Sequence, residues 1–242
     1  MKTLTIAAGV GVAAYLLTKP ILSFLRRKTA TVRLQYFNIK GLGEPIRLIL
    51  SLAGVPFEDY RFADRDEFLA LKPKLKFGQV PCLTVNGTEL FQSAAIFRFV
   101  ATYFGATDLY PSDALLAAQV DALLDQVKDM DIGKGVASYK RRFGFPESVL
   151  NDDNAEQVFE LWRAETLPRH LSFFEAALDA SPTAWLCGTA SPTIADVFLA
   201  TQLNSYRTKW PALPPYAPKL QALVDGVYQQ PKIQEFLRSA SP

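Results

Sequence analysis

Histidine, cysteine and net charge are the scarce quantities in this sequence. Its 242 residues include one histidine, His170, and two cysteines, Cys82 and Cys187. Two cysteines close at most one disulfide, so the chain is no disulfide-stapled scaffold. One histidine and two distant cysteines exclude the common zinc spacings, and no metal site is expected. A Ser-His-Asp triad would have to use His170, which stands in a helical stretch, and no nucleophile elbow occurs in the sequence. Basic residues number 26 and acidic residues 24, and a net charge of +2 is too small to argue for a nucleic-acid partner. Hydrophobic residues at 49% and charged residues at 21% exclude a disordered chain. At roughly 150 residues per domain, the length allows one large domain or two small ones. Internal repeats and low-complexity tracts are absent as well.

Acids are missing from the N-terminus, where the first is Glu44. Lys2, Lys19, Arg26, Arg27 and Lys28 all fall in residues 1–28, so the rest of the chain is slightly acidic. Residues 3–18 are uncharged and mostly apolar. That run is short of the about 20 residues that span a bilayer. Extended through Pro20 to Leu25 it is long enough, with Lys19 near its end and able to snorkel. Arg26, Arg27 and Lys28 then form a basic flank, which places the remainder of the chain on the cytosolic side. The segment reads first as a membrane anchor through residues 4–25. Two other readings stay open: a cleaved secretory or organellar targeting peptide, and a packed or disordered tail. No A-x-A-like site follows the apolar run closely, which speaks against cleavage. Residues 1–30 are set apart from the fold.

Residues 31–104 read as mixed α/β. The run 31–37 is β-branched and aromatic, and Gly41 and Gly43 break it. Ile46, Ile49, Leu50 and Ala53 follow at helical spacing, with Gly54 as the stop. Phe57 to Phe62 reads as a second strand, and Asp64 to Leu71 as a short helix capped by Asp64. Pro81 to Val85 is a third strand, and Asn86-Gly87 signals a hairpin into Thr88–Phe91. Ser93 is expected to cap an apolar helix through Tyr103. The opening strand–helix–strand requires a right-handed crossover and a parallel pair, and the hairpin adds an antiparallel pair. The sheet is therefore mixed.

Residues 105–114 hold Gly, Pro and Ser and read as a linker. After it the pattern is helical. Leu116, Val120, Leu123, Val127 and Met130 make one helix face. Val158, Leu161, Trp162, Glu165, Leu171, Phe174 and Leu178 mark a second long helix with a kink at Pro168. Thr193 and Asp196 form a capping-box pattern, and helices follow around 216–229 and 231–238, the last opened by Pro231.

Local strings then resemble a known family, the cytosolic glutathione transferases, over about residues 31–240. L-Q-Y-F-N-I-K-G-L-G-E-P-I-R (34–47) is similar to the family's first strand, catalytic tyrosine and first helix. F-G-Q-V-P-C-L (77–83) is similar to its turn before a cis-proline, and N-G-T-E-L-F-Q-S-A-A-I (86–96) to its hairpin and third helix. Y-F-N together with F-G-Q-V-P most resembles the sigma class, which includes the glutathione-dependent prostaglandin D isomerases. The resemblance implies a thioredoxin-like N-terminal domain with a four-stranded mixed sheet over 31–108, and an all-helical substrate-binding domain over 109–242. It implies a homodimer, with glutathione as co-substrate and no bound cofactor.

It also implies roles. Glutathione carries a thiol of pKa about 8.5, only about 3% thiolate at pH 7. A hydroxyl donor that lowers this by about two units supplies about 2.7 kcal/mol and makes the thiolate the major form. Tyr36, at the end of the first strand, has that role by resemblance. A cis Val80–Pro81 bond would turn the backbone of Val80 outward, where an extended peptide can pair with it. Gln92 and Ser93 at a helix N-terminus would hold the γ-glutamyl carboxylate. Lys72 would hold the glycine carboxylate, beside Phe68, Gly78 and Gln79. Asp121, Asp125 and Asp129 share one stripe. Asp129 matches the acid that reaches across a dimer to the glutathione amino group. Phe37 would line the second-substrate side, with further residues from 132–145. Phe68 departs from a common tryptophan and so lacks an N–H, and Leu42 departs from a common sigma-class arginine. Cys82 follows the proline outside any C-x-x-C pair and reads as a buried apolar residue. The expected activity is attack of the glutathione thiolate on an apolar electrophile. Alternatives are a glutathione-dependent isomerase or peroxidase acting on lipids, or a non-catalytic, crystallin-like relative.

Overall fold

Alternation builds the centre of the molecule. In β1, Val32–Phe37, residues Val32, Leu34 and Tyr36 are buried while Arg33, Gln35 and Phe37 are half-exposed on the other face. The structure is a computed structural model that describes residues 29–139, 144–211, 213 and 215–239. The expected anchor and its basic flank lie outside the described residues. Among the described residues, no helix is long and apolar enough to cross a membrane.

The sheet order is β2-β1-β3-β4, with β2 Glu58–Phe62, β3 Cys82–Val85 and β4 Thr88–Phe91. β1 runs parallel to β2 and antiparallel to β3, and β3 pairs antiparallel with β4. This is the mixed, thioredoxin-like sheet expected from the sequence. Asn86 (φ 50°) and Gly87 (φ 82°) both take positive φ, as a tight hairpin demands. The Asn86 side chain also accepts the Thr31 N–H at 3.0 Å, while its own N–H donates to the Thr31 carbonyl. That residue therefore closes the hairpin and clamps the start of β1.

α1, Gly43–Leu52, buries nearly every side chain and ends where Gly54 (φ 67°) turns the chain. α2, Arg65–Leu71, is capped by Asp64, which accepts the Glu67 N–H at 2.9 Å. A 3₁₀ turn follows at Lys72–Lys74. α3, Ser93–Tyr103, corrects one expectation: Ser93 is its first helical residue, and Gln92 is the flanking one. Gln92 takes φ 70° and ψ 110°, and its carbonyl accepts the Ile96 N–H at 3.0 Å. The left-handed turn at Gln92 has already redirected the chain, so Ser93 lacks the extended geometry of a capping residue.

The helical half begins with α4, Ala114–Ser138, capped by Asp113. Val120, Val127 and Met130 of its expected stripe are fully buried and Leu124 joins them, while Leu116 and Leu123 are half-buried. α5, Asp152–Leu161, and α6, Leu167–Ala180, are joined by a π-helical turn, Trp162–Thr166. The wider turn precedes Pro168, whose missing N–H leaves a carbonyl without its usual donor. Leu161, just before the turn and off the face of Ala155 and Trp162, is 54% exposed, and Glu165 within the turn faces solvent, contrary to the expected stripe. Trp162 instead fills the core. Its Nε1–H donates to the Met130 carbonyl at 2.6 Å, and a Cβ on Gly133 would lie 3.2 Å from it.

α7, Ile194–Lys209, carries the expected capping box. Asp196 is fully buried and accepts from the N–H groups of Leu186 and Thr193 at 2.8 Å and from the Thr193 hydroxyl at 2.7 Å. α8, Pro218–Tyr228, and α9, Pro231–Ser239, complete the described chain. The two halves share one apolar core, with Phe97 of α3 against Phe198 of α7 at 5.3 Å. Arg98–Asp121 at 2.7 Å and Lys232 to the Leu52 carbonyl at 2.8 Å tie the two halves at their margins.

Candidate active site

Sheet register collects the expected site residues at one end of the sheet. Gln35 stands opposite Cys82, and Cys82 opposite Phe91. One residue further on each strand come Tyr36, Pro81 and Gln92, residues distant in sequence and level across three neighbouring strands. The Val80–Pro81 bond is cis, and β3 pairing begins just after it.

Tyr36 is 7% exposed, and its hydroxyl oxygen accepts the backbone N–H of Leu42 at 3.0 Å. The chain makes room for this ring. A Cβ at Gly41 would sit 2.6 Å from the Tyr36 hydroxyl, and one at Gly43 would sit 2.5 Å from its Cδ1. The two glycines read from the sequence as strand breakers are also the clearance around the tyrosine. Beneath them lies Arg47, fully buried, with its guanidinium 6.0 Å from the Tyr36 ring centre. Its Nε donates to both Asp59 oxygens at 3.0 Å, and Nη1 donates to the Ile39 carbonyl at 3.0 Å. Neither Arg47 nor the Leu42 N–H was singled out from sequence. The available signal was an arginine inside the apolar run that follows Glu44.

Phe37 packs edge-on against Tyr36 (5.5 Å), Phe62 (5.5 Å) and Phe68 (4.9 Å). Phe68 is thus part of an aromatic cluster bridging β1, β2 and α2. Lys72 is exposed and opens the 3₁₀ turn, and its stem lies 3.5 Å from where a Gly78 Cβ would be. Gly78 takes φ 59°, a conformation that favours glycine, and Gln79 next to it is exposed. At the other side of Pro81, the first N–H groups of α3 have no side-chain cap. Cys82 is fully buried, and burial pushes its thiol up to about 11, so it is an inert packing residue beside the site.

The acidic stripe on α4 divides. Asp121 pairs with Arg98 and Asp125 with Lys128, each at 2.7 Å. Asp129 is exposed and, among the described residues, makes no hydrogen bond or ion pair; nothing bonds it to the sheet-edge residues. Of the segment 132–145, residues 140–143 lie outside the described ones. Within it, Lys134 donates to Asp131 at 2.7 Å and to the Tyr206 hydroxyl at 3.1 Å. Burial holds the Asp131 carboxyl above its ordinary range and the Lys134 amine below it. Two open grooves of about 420 and 450 Å³ lie elsewhere, one between α4 and α6 and one between α9 and the α1–β2 loop. None of the expected site residues lines either. Among the described residues, no group of three or more His, Cys, Asp or Glu could hold a metal ion.

Comparison with known proteins supplies a family. Residues 32–102 match the model described as glutathione S-transferase, N-terminal domain, and residues 144–240 the one described as glutathione S-transferase, C-terminal domain. The chain is 35% identical to glutathione S-transferase 1 of Ascaris suum over 205 residues, covering 85% of this chain and 94% of that protein. Among solved structures it is similar to prostaglandin synthase D of Nilaparvata lugens. The TM-score there is 0.74 at 28% identity, covering 88% of this chain and 99% of the other. It is also similar to a monomeric glutathione S-transferase from the hookworm Necator americanus, with TM-score 0.67 at 29% identity over 88% and 98% of the two chains.

Proposed function

The chain belongs to the glutathione S-transferase family, and we propose that within it Tyr36 donates its hydroxyl hydrogen to the glutathione sulfur, whose thiolate attacks an apolar electrophile. The observation that carries this reading is the Leu42 N–H bond to the Tyr36 oxygen at 3.0 Å. Accepting that bond draws electron density from the oxygen and makes the O–H a stronger donor. A shift of about two units in the thiol would convert glutathione from mostly neutral to mostly ionised at pH 7.

The rest of the peptide has a place in this reading. Val80 pairs with the cysteinyl backbone as an added strand. The uncapped start of α3, with Ser93 and Gln92, receives the γ-glutamyl carboxylate, where N–H groups and the helix dipole favour an anion. Lys72 meets the glycine carboxylate, with Gln79 beside it and its stem against Gly78. Phe68, without an N–H, contributes packing there. Phe37 forms the apolar wall beside the sulfur. Asp129 reaches the amino group of glutathione held by a second copy, which makes the working unit a homodimer. Glutathione enters and leaves as co-substrate, and no resident cofactor takes part.

The sigma class is the subclass favoured, on the Y-F-N and F-G-Q-V-P strings. A glutathione-dependent lipid isomerase is the second reading, favoured by the likeness to the Nilaparvata lugens structure titled prostaglandin synthase D. Residues 4–25 are proposed as a membrane tether that leaves the catalytic body in the cytosol. The support is their sequence pattern, and fractionation of the full chain tests it; a processed, lumenal product would point to the targeting-peptide reading.

The central experiment measures conjugation of glutathione to a chlorodinitrobenzene by the full chain and by Tyr36→Phe, with the thiol pKa of bound glutathione read from thiolate absorbance. Tyr36→Phe should lose at least about tenfold in rate and return the thiol toward its solution value of about 8.5. A folded Tyr36→Phe enzyme with the parent's thiol pKa would overturn the assignment.

A further inference from the structure

A guanidinium with 1% exposure inside an apolar helix face needs a specific reason to be there. Arg47 lies among Ile46, Leu48, Ile49 and Leu50, all fully buried. Its donors do not simply satisfy one ion pair. Nε takes both oxygens of Asp59 at 3.0 Å, and Nη1 adds Glu44 at 3.4 Å. The remaining donors go to backbone: Nη1 to the Ile39 carbonyl at 3.0 Å and Nη2 to the Phe37 carbonyl at 3.5 Å. Phe37 closes β1 next to Tyr36, and Ile39 lies in the turn that leaves the strand there and returns through Leu42. One rigid fork therefore pins that turn at two points, and the turn ends in the N–H that bonds the Tyr36 hydroxyl.

We propose that Arg47 is the positioning residue of Tyr36: by holding the Phe37 and Ile39 carbonyls it fixes the turn that aims the Leu42 N–H at the tyrosine oxygen. This rests on the role of Tyr36 given above. The effect is geometric and not a long-range charge effect. Two carboxylates, Glu44 and Asp59, already neutralise the cation, and Arg61 shares Asp59 at 2.8 Å. Lysine at this position would keep the charge, but a single ammonium cannot span both carbonyls and Asp59 together.

The test is the thiol pKa of glutathione bound to the full-length enzyme, with melting temperature and steady-state kinetics measured on the same samples. Arg47→Lys should raise that pKa by about one unit, which lowers kcat/KM about fivefold near pH 6.5 while KM for glutathione stays within about twofold. In the Tyr36→Phe background the same substitution should add no further shift, because its effect passes through the tyrosine. Asp59→Asn loosens the far end of the fork and should give a smaller shift in the same direction; it serves if Arg47→Lys does not fold. A folded Arg47→Lys or Asp59→Asn enzyme with the parent's thiol pKa overturns the proposal. So does an equal shift with and without the Tyr36 hydroxyl. If Tyr36→Phe itself leaves the thiol pKa unchanged, the reading of Tyr36 fails and takes the proposal with it. A shift from Tyr36→Phe with none from Arg47→Lys defeats the proposal alone.

Discussion

Gly43 and Tyr36 occupy one volume: a Cβ at the glycine would lie 2.5 Å from Cδ1 and 2.9 Å from Cγ of the tyrosine ring. No real Cβ tolerates such a distance, so one of the two residues must move if the other grows. The glycine opens α1, whose next residues are buried against the core, and the tyrosine closes β1. The same Cβ would lie 3.0 Å from Arg47 Nη1, so the strain falls on the tyrosine ring and on the guanidinium beside it.

Gly43→Ala should therefore displace the tyrosine while leaving the fold in place. Gly43 is not in the positive-φ region, so alanine adds no backbone strain there. Conjugation rate should fall at least about tenfold, with a stability loss of about 1–3 kcal/mol from overpacking. Parallel kinetics and thermal melting check this. An alanine variant with full activity would mean that the position of the Tyr36 ring does not matter to the reaction.

Asp196→Ala should cost about 2–4 kcal/mol of stability. The carboxylate takes two buried backbone N–H groups and a hydroxyl, and its loss strands them away from water. Denaturant unfolding would show the midpoint move with little change in slope. Thr193→Ala removes one of those donors and the hydroxyl that accepts the Asp196 backbone N–H, a single cap contact, and should cost less, about 1 kcal/mol.

His170 gives the molecule a pH response that can be assigned without ambiguity, since it is the single histidine. Burial, and then the neighbouring Arg169, hold it below its ordinary value, while Asp129 opposes this. The amide nitrogen of Gln126 faces Nδ1 at 2.6 Å, which is a hydrogen bond only while Nδ1 is unprotonated. The unfolded chain therefore takes up the proton first as pH falls through about 6.5. Stability from this group is present above that value and is lost as pH falls toward 5. His170→Asn should flatten the melting-temperature curve between pH 7 and 5, and an unchanged slope would refute the assignment.

Much of the architecture was legible from local chemistry. Asn86-Gly87, Gly54, Asp64 and the Thr193–Asp196 box each act through their own backbone geometry, so sequence alone locates them. The site was legible only in part. Apolar periodicity tells which way a side chain faces, but not which backbone N–H meets it, and so the Leu42 donor was invisible. Gly41 and Gly43 announced a break, yet their reason depends on where the Tyr36 ring lands. Ser93 looked like a cap because its type suits one; the left-handed turn at Gln92 moved the boundary by a residue. Pro168 signalled a disturbance in the helix, but a proline alone does not say that the disturbance takes the form of a π turn over Trp162–Thr166.

The clamp between Thr31 and Asn86 has a mechanical consequence. β1 is held by neighbours on both sides, and its bonds to them run across the strand. Tyr36 lies about 17 Å along it from Thr31, at about 3.3 Å per residue. A pull on the chain ahead of Thr29 would meet the Asn86 bonds first and then load the whole strand in shear, every rung sharing the force. Tension from that side would be divided among the Asn86 bonds and the rungs of β1, so only part of it would reach the tyrosine.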